Sequence, residues 1–174
     1  MLLKKALAIF ITKFYYSFLF KGIGTRTAIY RPYLLHNAKH ISIGKGCLLR
    51  KGLRLEVVDP QSGLVISIGD NVNIEQNVHI VGRVAIIIED DVTITGHCSI
   101  VDVVHPYNNI YSSTKIGNRI SEEAFPVRIG RGSFIGFGAH ISPGVEIGKY
   151  CVVGANSVVT KSMPDYSVIA GNPA

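Results

Sequence analysis

An aliphatic residue recurs at every sixth position along most of the chain. Fifteen such hexads fall into five blocks of three, and the blocks begin at residues 43, 68, 88, 129 and 147. The first residue of a hexad is always Ile, Leu or Val, and the fifth is mostly Val, Ala, Ser or Cys. The leading residues are Ile43, Leu49, Leu55, Ile68, Ile74, Ile80, Ile88, Ile94, Ile100, Ile129, Ile135, Ile141, Ile147, Val153 and Val159. A period this regular indicates a repeat architecture.

Each hexad predicts a short strand followed by a turn, with the leading aliphatic residue and the small fifth residue pointing inward. Three hexads make one triangular coil, so the pattern predicts coils at 43–60, 68–85, 88–105, 129–146 and 147–164. Within a continuous block, residues eighteen apart should stack at the interstrand spacing of roughly 4.8 Å. The predicted fold is therefore all-β, a prism of parallel sheets, with a projecting loop at 106–128.

The first twenty residues lack the hexad pattern and instead predict an amphipathic helix. Its wide apolar face contains residues at helical spacing, namely Leu3, Leu7, Phe10, Phe14 and Phe18. Lysines within the segment and the lack of a small-residue cleavage site argue against a spanning helix or a cleaved signal. Two interpretations stay open: residues 1–20 lie on a membrane surface, or they pack on the first coil as an end cap. We divide the chain into a helix and lead-in, residues 1–40, and a β-helix domain, residues 41–174.

Composition narrows the class of protein. With 174 residues, 47% of them hydrophobic, the chain can bury one core. All three cysteines, Cys47, Cys98 and Cys151, occupy fifth positions, so we interpret them as small core residues, and a reducing compartment fits. The net charge of +6 favours an anionic partner. No nucleic-acid reader motif accompanies that charge, so nucleic-acid binding is not predicted.

The carboxy-terminal repeats carry a family resemblance. The segment VRIGRGSFIGFGAHISPGVEIGKYCVVGANSVVTKSMPDYSVIAGNPA resembles the hexapeptide-repeat acyltransferases, and the likeness covers residues 41–174. A loop that opens with HP, followed by FPVRIG, VVTK and IAGNPA, is similar to the O-acetyltransferase branch that contains maltose, galactoside and surface-polysaccharide acetyltransferases. The resemblance implies a left-handed parallel β-helix, a homotrimer, acetyl-CoA as the acetyl donor and a carbohydrate acceptor. The left hand is an exception to the usual right-handed crossover.

His105 ends the third coil and directly precedes the projecting loop. The resemblance implies that His105 is the general base, because a neutral imidazole can take the proton of a sugar hydroxyl as its oxygen attacks the thioester. Asp102 is the candidate to orient that imidazole, with an exposed carboxylate at the edge of the coil as the alternative. By periodicity alone, His79 and His140 at sixth positions and His97 in a turn remain competitors.

The resemblance also assigns residues to the acetyl donor. Gly138 and Ala155 match positions that contact the pantetheine arm between subunits, and ordinary turn chemistry is the alternative for both. Thr160 and Lys161 match positions at the nucleotide end, where a lysine suits a phosphate.

Acceptor binding is expected near the longest break in the repeat. Residues 106–126 are rich in Tyr, Asn and Ser, and a loop of this length inside a compact fold is usually functional or disordered. By hexad counting, Glu75 and Asn77 fall near the position at which related enzymes hold the acceptor sugar. Glu75 replaces the asparagine that is usual there in related enzymes, so an acceptor different from theirs stays open.

The resemblance implies a cytoplasmic O-acetyltransferase that acts in surface-polysaccharide synthesis, at the inner face of the membrane if the amino-terminal helix binds lipid. No metal is expected. Three alternatives stay open: an amino-sugar N-acetyltransferase, a zinc protein like the γ-class carbonic anhydrases, and a non-catalytic β-helix assembly subunit. The zinc alternative would use His79, His97 and His105, whose spacing does not match the arrangement in that family.

Overall fold

The predicted hexad columns stack into a prism with three parallel sheets. The computed structural model describes residues 2–174, and within them the leading aliphatic residues pair in register from coil to coil. One column runs through Ile43, Ile68, Ile88, Ile129 and Ile147, and every member is at most 3% exposed. Two further columns on the other sheets are buried in the same way. The hexad prediction of an aliphatic interior is confirmed.

The strands are short because each hexad ends in a turn. In chain order, the strands within residues 2–174 are β1 Gly22–Ile23, β2 Ala28–Ile29, β3 Leu34–His36, β4 Ile41–Ile43, β5 Leu48–Leu49, β6 Arg54–Val57, β7 Ile66–Ile68, β8 Asn73–Ile74, β9 His79–Gly82, β10 Ile86–Ile88, β11 Thr93–Ile94, β12 Ser99–Val101, β13 Val127–Ile129, β14 Phe134–Ile135, β15 His140–Ile141, β16 Glu146–Ile147, β17 Val152–Val153, β18 Val158–Val159 and β19 Val168–Ile169. The first sheet has the order β1-β4-β7-β10-β13-β16, the second β2-β5-β8-β11-β14-β17-β19, and the third β3-β6-β9-β12-β15-β18.

The β-helix begins earlier than the hexad pattern predicts. Strands β1, β2 and β3 pair in parallel with β4, β5 and β6, so a coil precedes the five predicted ones and the boundary at residue 41 is wrong. Ile23, Ile29 and Leu35 keep the spacing of six, but the fifth positions hold Thr27 and Tyr33. The buried Thr27 hydroxyl donates to the Gly44 carbonyl at 2.7 Å and accepts from the Cys47 amide at 3.1 Å, so a polar residue is tolerated inside.

Helix α1 (Leu2–Phe14) covers the open edge of this first coil. Ala8 and Thr12 are buried, and the Thr12 hydroxyl accepts a hydrogen bond from the Ile29 amide at 2.9 Å. That amide belongs to edge strand β2, whose outward backbone groups would otherwise lack partners. One face of the helix therefore packs as an end cap. Within the described residues, no helix has both the length and the apolar character needed to cross a bilayer.

The three cysteines lie in the interior, as predicted. Cys47, Cys98 and Cys151 are free and at most 1% exposed. Burial raises the pKa of the Cys47 and Cys98 thiols, which keeps them protonated and unreactive.

Candidate active site

A cleft of about 460 Å³ lies on the outer face of the third sheet, where the chain leaves β12 and folds back before β13. Its lining combines Gly117 with five apolar side chains and three polar ones: Val58, Val81, Val101, Val103 and Ile120, and Arg54, His79 and His105. A mixed lining of this kind suits a small ligand that has both an apolar face and hydrogen-bonding groups. The predicted catalytic histidine therefore lies in a cleft that the projecting loop helps to form.

The imidazole of His105 is held by a backbone carbonyl of the loop. Its Nδ1 lies 2.7 Å from the carbonyl oxygen of Arg119. A carbonyl oxygen can only accept a hydrogen bond, so Nδ1 carries the proton in the neutral ring. Nε2 then keeps its lone pair and can accept a proton from a ligand in the cleft. This is the tautomer that a general base requires.

Arg119 organises the loop that carries this carbonyl. Its guanidinium donates to three loop carbonyls, those of Thr114 at 2.8 Å, Asn109 at 3.0 Å and Ser112 at 3.3 Å. The base of the loop is closed by a hydrogen bond from the Ser121 amide to the Val104 carbonyl at 2.9 Å. Five donors in a rigid planar fork make arginine suited to gathering several acceptors at once. The hexad pattern offers no signal for Arg119, because the residue lies outside the repeat.

Asp102 does not orient His105. Its carboxylate is 2% exposed and accepts hydrogen bonds from the amides of Arg83 at 2.6 Å, Val84 at 2.8 Å and Ala85 at 2.8 Å. Burial raises the pKa of Asp102, while the three N–H donors and the Arg83 charge act in the opposite direction. Both expectations for this residue are wrong, since it is neither an imidazole partner nor an exposed edge carboxylate. The Asp102 carboxylate instead fixes the backbone corner at residues 83–85, in the preceding coil.

Two further histidines lie near the cleft on the third sheet. His79 and His140 flank Ser99 on neighbouring strands, and His79 lines the cleft. Burial lowers the pKa of both imidazoles, and the Arg54 charge adds to the shift at His79. His79 is therefore a neutral hydrogen-bonding group beside His105.

The residues assigned to the acetyl donor lie in the last coils. Gly138 has φ +70°, and a Cβ at this position would lie 2.4 Å from Oδ1 of Asn156 in the next coil. The positive φ and this close approach favour glycine, so turn geometry accounts for Gly138 whether or not a ligand approaches it. Ala155, Thr160 and Lys161 are exposed, and the Thr160 hydroxyl lies 3.4 Å from the Ala174 carbonyl. An exposed surface of small residues is compatible with a bound pantetheine arm.

Glu75 and Asn77 lie in the turn between the second and third sheets, after β8. Glu75 Oε2 is 3.3 Å from Nε of Arg50, and Asn77 Nδ2 is 3.3 Å from Nε2 of His97. Neither residue lines the cleft around His105. The structure of one chain thus does not bring the predicted acceptor residues together with the predicted base.

The histidines of the zinc alternative are also separate. His97 lies in the turn beside Asn77, with its ring 5.1 Å from that of Phe137, whereas His79 and His105 line the cleft. Among residues 2–174, no three His, Cys, Asp or Glu side chains are grouped so that they could hold one metal ion.

Comparison with known proteins places the fold and the repeat in a family. The model of the bacterial transferase hexapeptide, with six repeats, matches residues 126–161. WbbJ of Escherichia coli K12, named as a candidate lipopolysaccharide biosynthesis O-acetyl transferase, is 34% identical over 147 residues, which cover 82% of this chain and 74% of WbbJ. The chain belongs to the hexapeptide-repeat transferase family. The predicted resemblance is confirmed.

Other members of the hexapeptide-repeat transferase family are similar over shorter regions. The galactoside O-acetyltransferase of Escherichia coli K12 is 37% identical over 111 residues, which cover 64% of this chain and 52% of that enzyme. The chain spans about half the length of several such curated relatives, 52% to 55%.

A solved mutant of AntD, an N-acyltransferase from Bacillus cereus in complex with dTDP and coenzyme A, has a TM-score of 0.76 at 21% identity, covering 95% of this chain and 87% of AntD. The predicted left-handed parallel β-helix is confirmed.

Proposed function

We propose that this protein transfers an acetyl group from acetyl-CoA to a hydroxyl of a carbohydrate. The observation that carries the proposal is the 2.7 Å contact of His105 Nδ1 with the Arg119 carbonyl, which leaves Nε2 as a proton acceptor in the cleft. Support also comes from WbbJ and the galactoside O-acetyltransferase, whose names describe transfer of an acetyl group to oxygen. The likeness to AntD supports the fold alone, because the two chains are only 21% identical.

His105 performs the proton transfers in the proposed reaction. Acetyl-CoA supplies the acetyl group as a thioester. Nε2 of His105 takes the proton of the sugar hydroxyl as the hydroxyl oxygen bonds to the thioester carbonyl carbon. The resulting imidazolium then returns this proton to the departing sulfur, so no acetyl group is attached to the enzyme. The Arg119 carbonyl accepts from Nδ1–H throughout and stabilises the positive charge on the ring.

The acetyl donor is proposed to lie along the last coils, with Gly138 and Ala155 at the pantetheine arm and Thr160 and Lys161 at the nucleotide. A second subunit would close this surface into a channel, so the protein should be a trimer. Sedimentation equilibrium is expected to give three times the 18.9 kDa chain mass, and a monomer mass would contradict the shared site.

The acceptor is proposed to be a sugar of a surface polysaccharide, acetylated in the cytoplasm. Glu75 and Asn77 would contact this sugar from a neighbouring subunit, since neither lines the His105 cleft of its own chain. The loop residues beside the cleft would provide the remaining contacts.

Mass spectrometry of candidate sugars incubated with acetyl-CoA tests the reaction. An added acetyl group that alkali removes indicates an ester and supports the proposal. An alkali-stable product would indicate an amide and favour the amino-sugar N-acetyltransferase instead. No acetylated product from any sugar or amino sugar, with acetyl-CoA intact, would contradict acetyl transfer.

A further inference from the structure

Helix α1 presents opposite faces to the β-helix and to solvent. Ala8 and Thr12 are buried against β2. On the far side lies what we term the apolar strip, which consists of Leu3, Leu7, Phe10 and Phe14. These side chains are 86%, 60%, 59% and 55% exposed, in that order. Scattered exposed apolar residues are ordinary, but a contiguous row marks an interaction site.

Lysines border the apolar strip on both sides. At about 100° per residue, Lys13 projects beside the strip on one side and Lys4 on the other. The Lys13 ammonium lies 5.4 Å from the centre of the Phe14 ring. Neither lysine belongs to an ion pair within the described chain. Long cationic side chains beside apolar ones can keep their charge at the level of lipid headgroups while their stems lie deeper.

Charge is segregated along the prism, because successive coils stack in chain order. Residues 1–55 contain eleven Lys and Arg and no Asp or Glu, whereas residues 56–174 contain seven Lys and Arg and twelve Asp and Glu. The helix, the first coil and most of the second coil therefore form a basic end, next to the apolar strip. Each Lys or Arg close to an anionic membrane strengthens binding by roughly fivefold. The combination complements an anionic lipid surface.

We infer that helix α1 and the basic end dock this protein on an anionic lipid bilayer. The helix lies in the plane of the interface with the apolar strip among the headgroups and upper acyl chains. Because its opposite face covers the edge of β2, the β-helix projects away from the membrane. A second copy is a poorer occupant of the strip, since a symmetric contact would bring Lys4 and Lys13 of both copies together.

Vesicle sedimentation tests the inference with the full chain. Vesicles of phosphatidylcholine mixed with phosphatidylglycerol should bind at least tenfold more tightly than phosphatidylcholine alone, and salt should reduce the difference. Leu7→Ser combined with Phe10→Ser should weaken binding at least tenfold. Lys4→Glu combined with Lys13→Glu should weaken binding to the anionic vesicles only. Val168→Ser, which removes an 81% exposed apolar side chain at the opposite end, should change nothing.

Failure of the unmodified protein to bind anionic vesicles overturns the inference, as does unchanged binding by the serine pair. If vesicles are not bound and the serine pair lowers the sedimentation mass, the apolar strip is a contact between copies. Circular dichroism monitors folding. The charge-reversal pair keeps the test decisive even if the serine pair unfolds, because both lysine side chains are exposed. The measurement does not depend on acetyl transfer, so the two proposals can fail separately.

Discussion

Replacing Arg119 should slow transfer without disturbing the β-helix, because Arg119 holds the loop that positions His105. Arg119→Met removes three hydrogen bonds, to the carbonyls of Asn109, Ser112 and Thr114. The guanidinium is only partly buried, so each bond contributes about 0.5–1 kcal/mol after competition with water. A total of about 2 kcal/mol corresponds to a shift of roughly 30-fold between ordered and disordered loop.

The expected decrease in kcat is therefore roughly 10- to 30-fold, smaller than for loss of the base itself. The KM for acetyl-CoA and the melting temperature should change little, since the loop lies outside the aliphatic core and the proposed donor site. Hydrogen exchange at loop amides should accelerate. The kcat and the loop exchange rate of Arg119→Lys should lie between those of the unmodified protein and Arg119→Met, because one ammonium cannot donate to three separated carbonyls.

Lys115→Met is the matched control, since it removes a cation from the same loop but no side-chain hydrogen bond within the described chain. Its loop amides should exchange at the same rate as in the unmodified protein, and its kcat should be unchanged. Faster loop exchange in Arg119→Met with normal kcat would refute the positioning role.

The half-buried histidines His79 and His140 should make stability depend on pH. Burial lowers the pKa of His79 and His140 below 6.5, so their stabilising contribution is complete above about pH 6.5 and is lost as pH falls through the lowered values. His140→Gln should therefore flatten the fall in melting temperature between pH 7 and 5. An unchanged slope would count against a role of His140 in this pH dependence. Asp102→Asn places an N–H donor against backbone N–H groups, which should lower the free energy of unfolding measured in urea by about 1–3 kcal/mol. An unchanged urea midpoint would contradict the role of Asp102 in fixing the corner of the coil. Gly138→Ala should lower the melting temperature more than Gly46→Ala, because both glycines have φ near +70° but only the first meets a neighbouring amide oxygen; equal losses would refute the clash.

The interior could be predicted from the sequence because burial repeats every six residues. All fifteen leading aliphatic residues are buried, and the cysteines follow the same rule. The first coil does not follow from the hexad pattern, because Thr27 and Tyr33 interrupt the small fifth positions, although Ile23 and Ile29 keep the spacing. Thr27 is satisfied by hydrogen bonds to another coil, and contacts of this kind have no signal in a local pattern.

The candidate site was predictable only in part. His105 could be placed by the break in the repeat and by the family resemblance, and the cleft contains it. The hydrogen-bond partner of His105 could not be predicted, because the Arg119 carbonyl is fourteen residues away in sequence and only the fold of the loop brings it close. The role predicted for Asp102 is wrong because proximity in sequence does not show which way a side chain points. Its carboxylate bonds to backbone amides of the preceding coil.

The most direct test of the proposed base is a paired measurement on His105→Ala. Calorimetric binding of acetyl-CoA should change little, while kcat should fall by a factor on the order of 10² to 10⁴ because the hydroxyl proton loses its acceptor. His40→Ala is the matched control, since His40 Nδ1 also lies 3.0 Å from a loop carbonyl, that of Ser62, but outside the cleft. That variant should retain full turnover. Near-normal turnover in His105→Ala would contradict the assignment of His105 as the general base, and His79 would then be the next residue to replace.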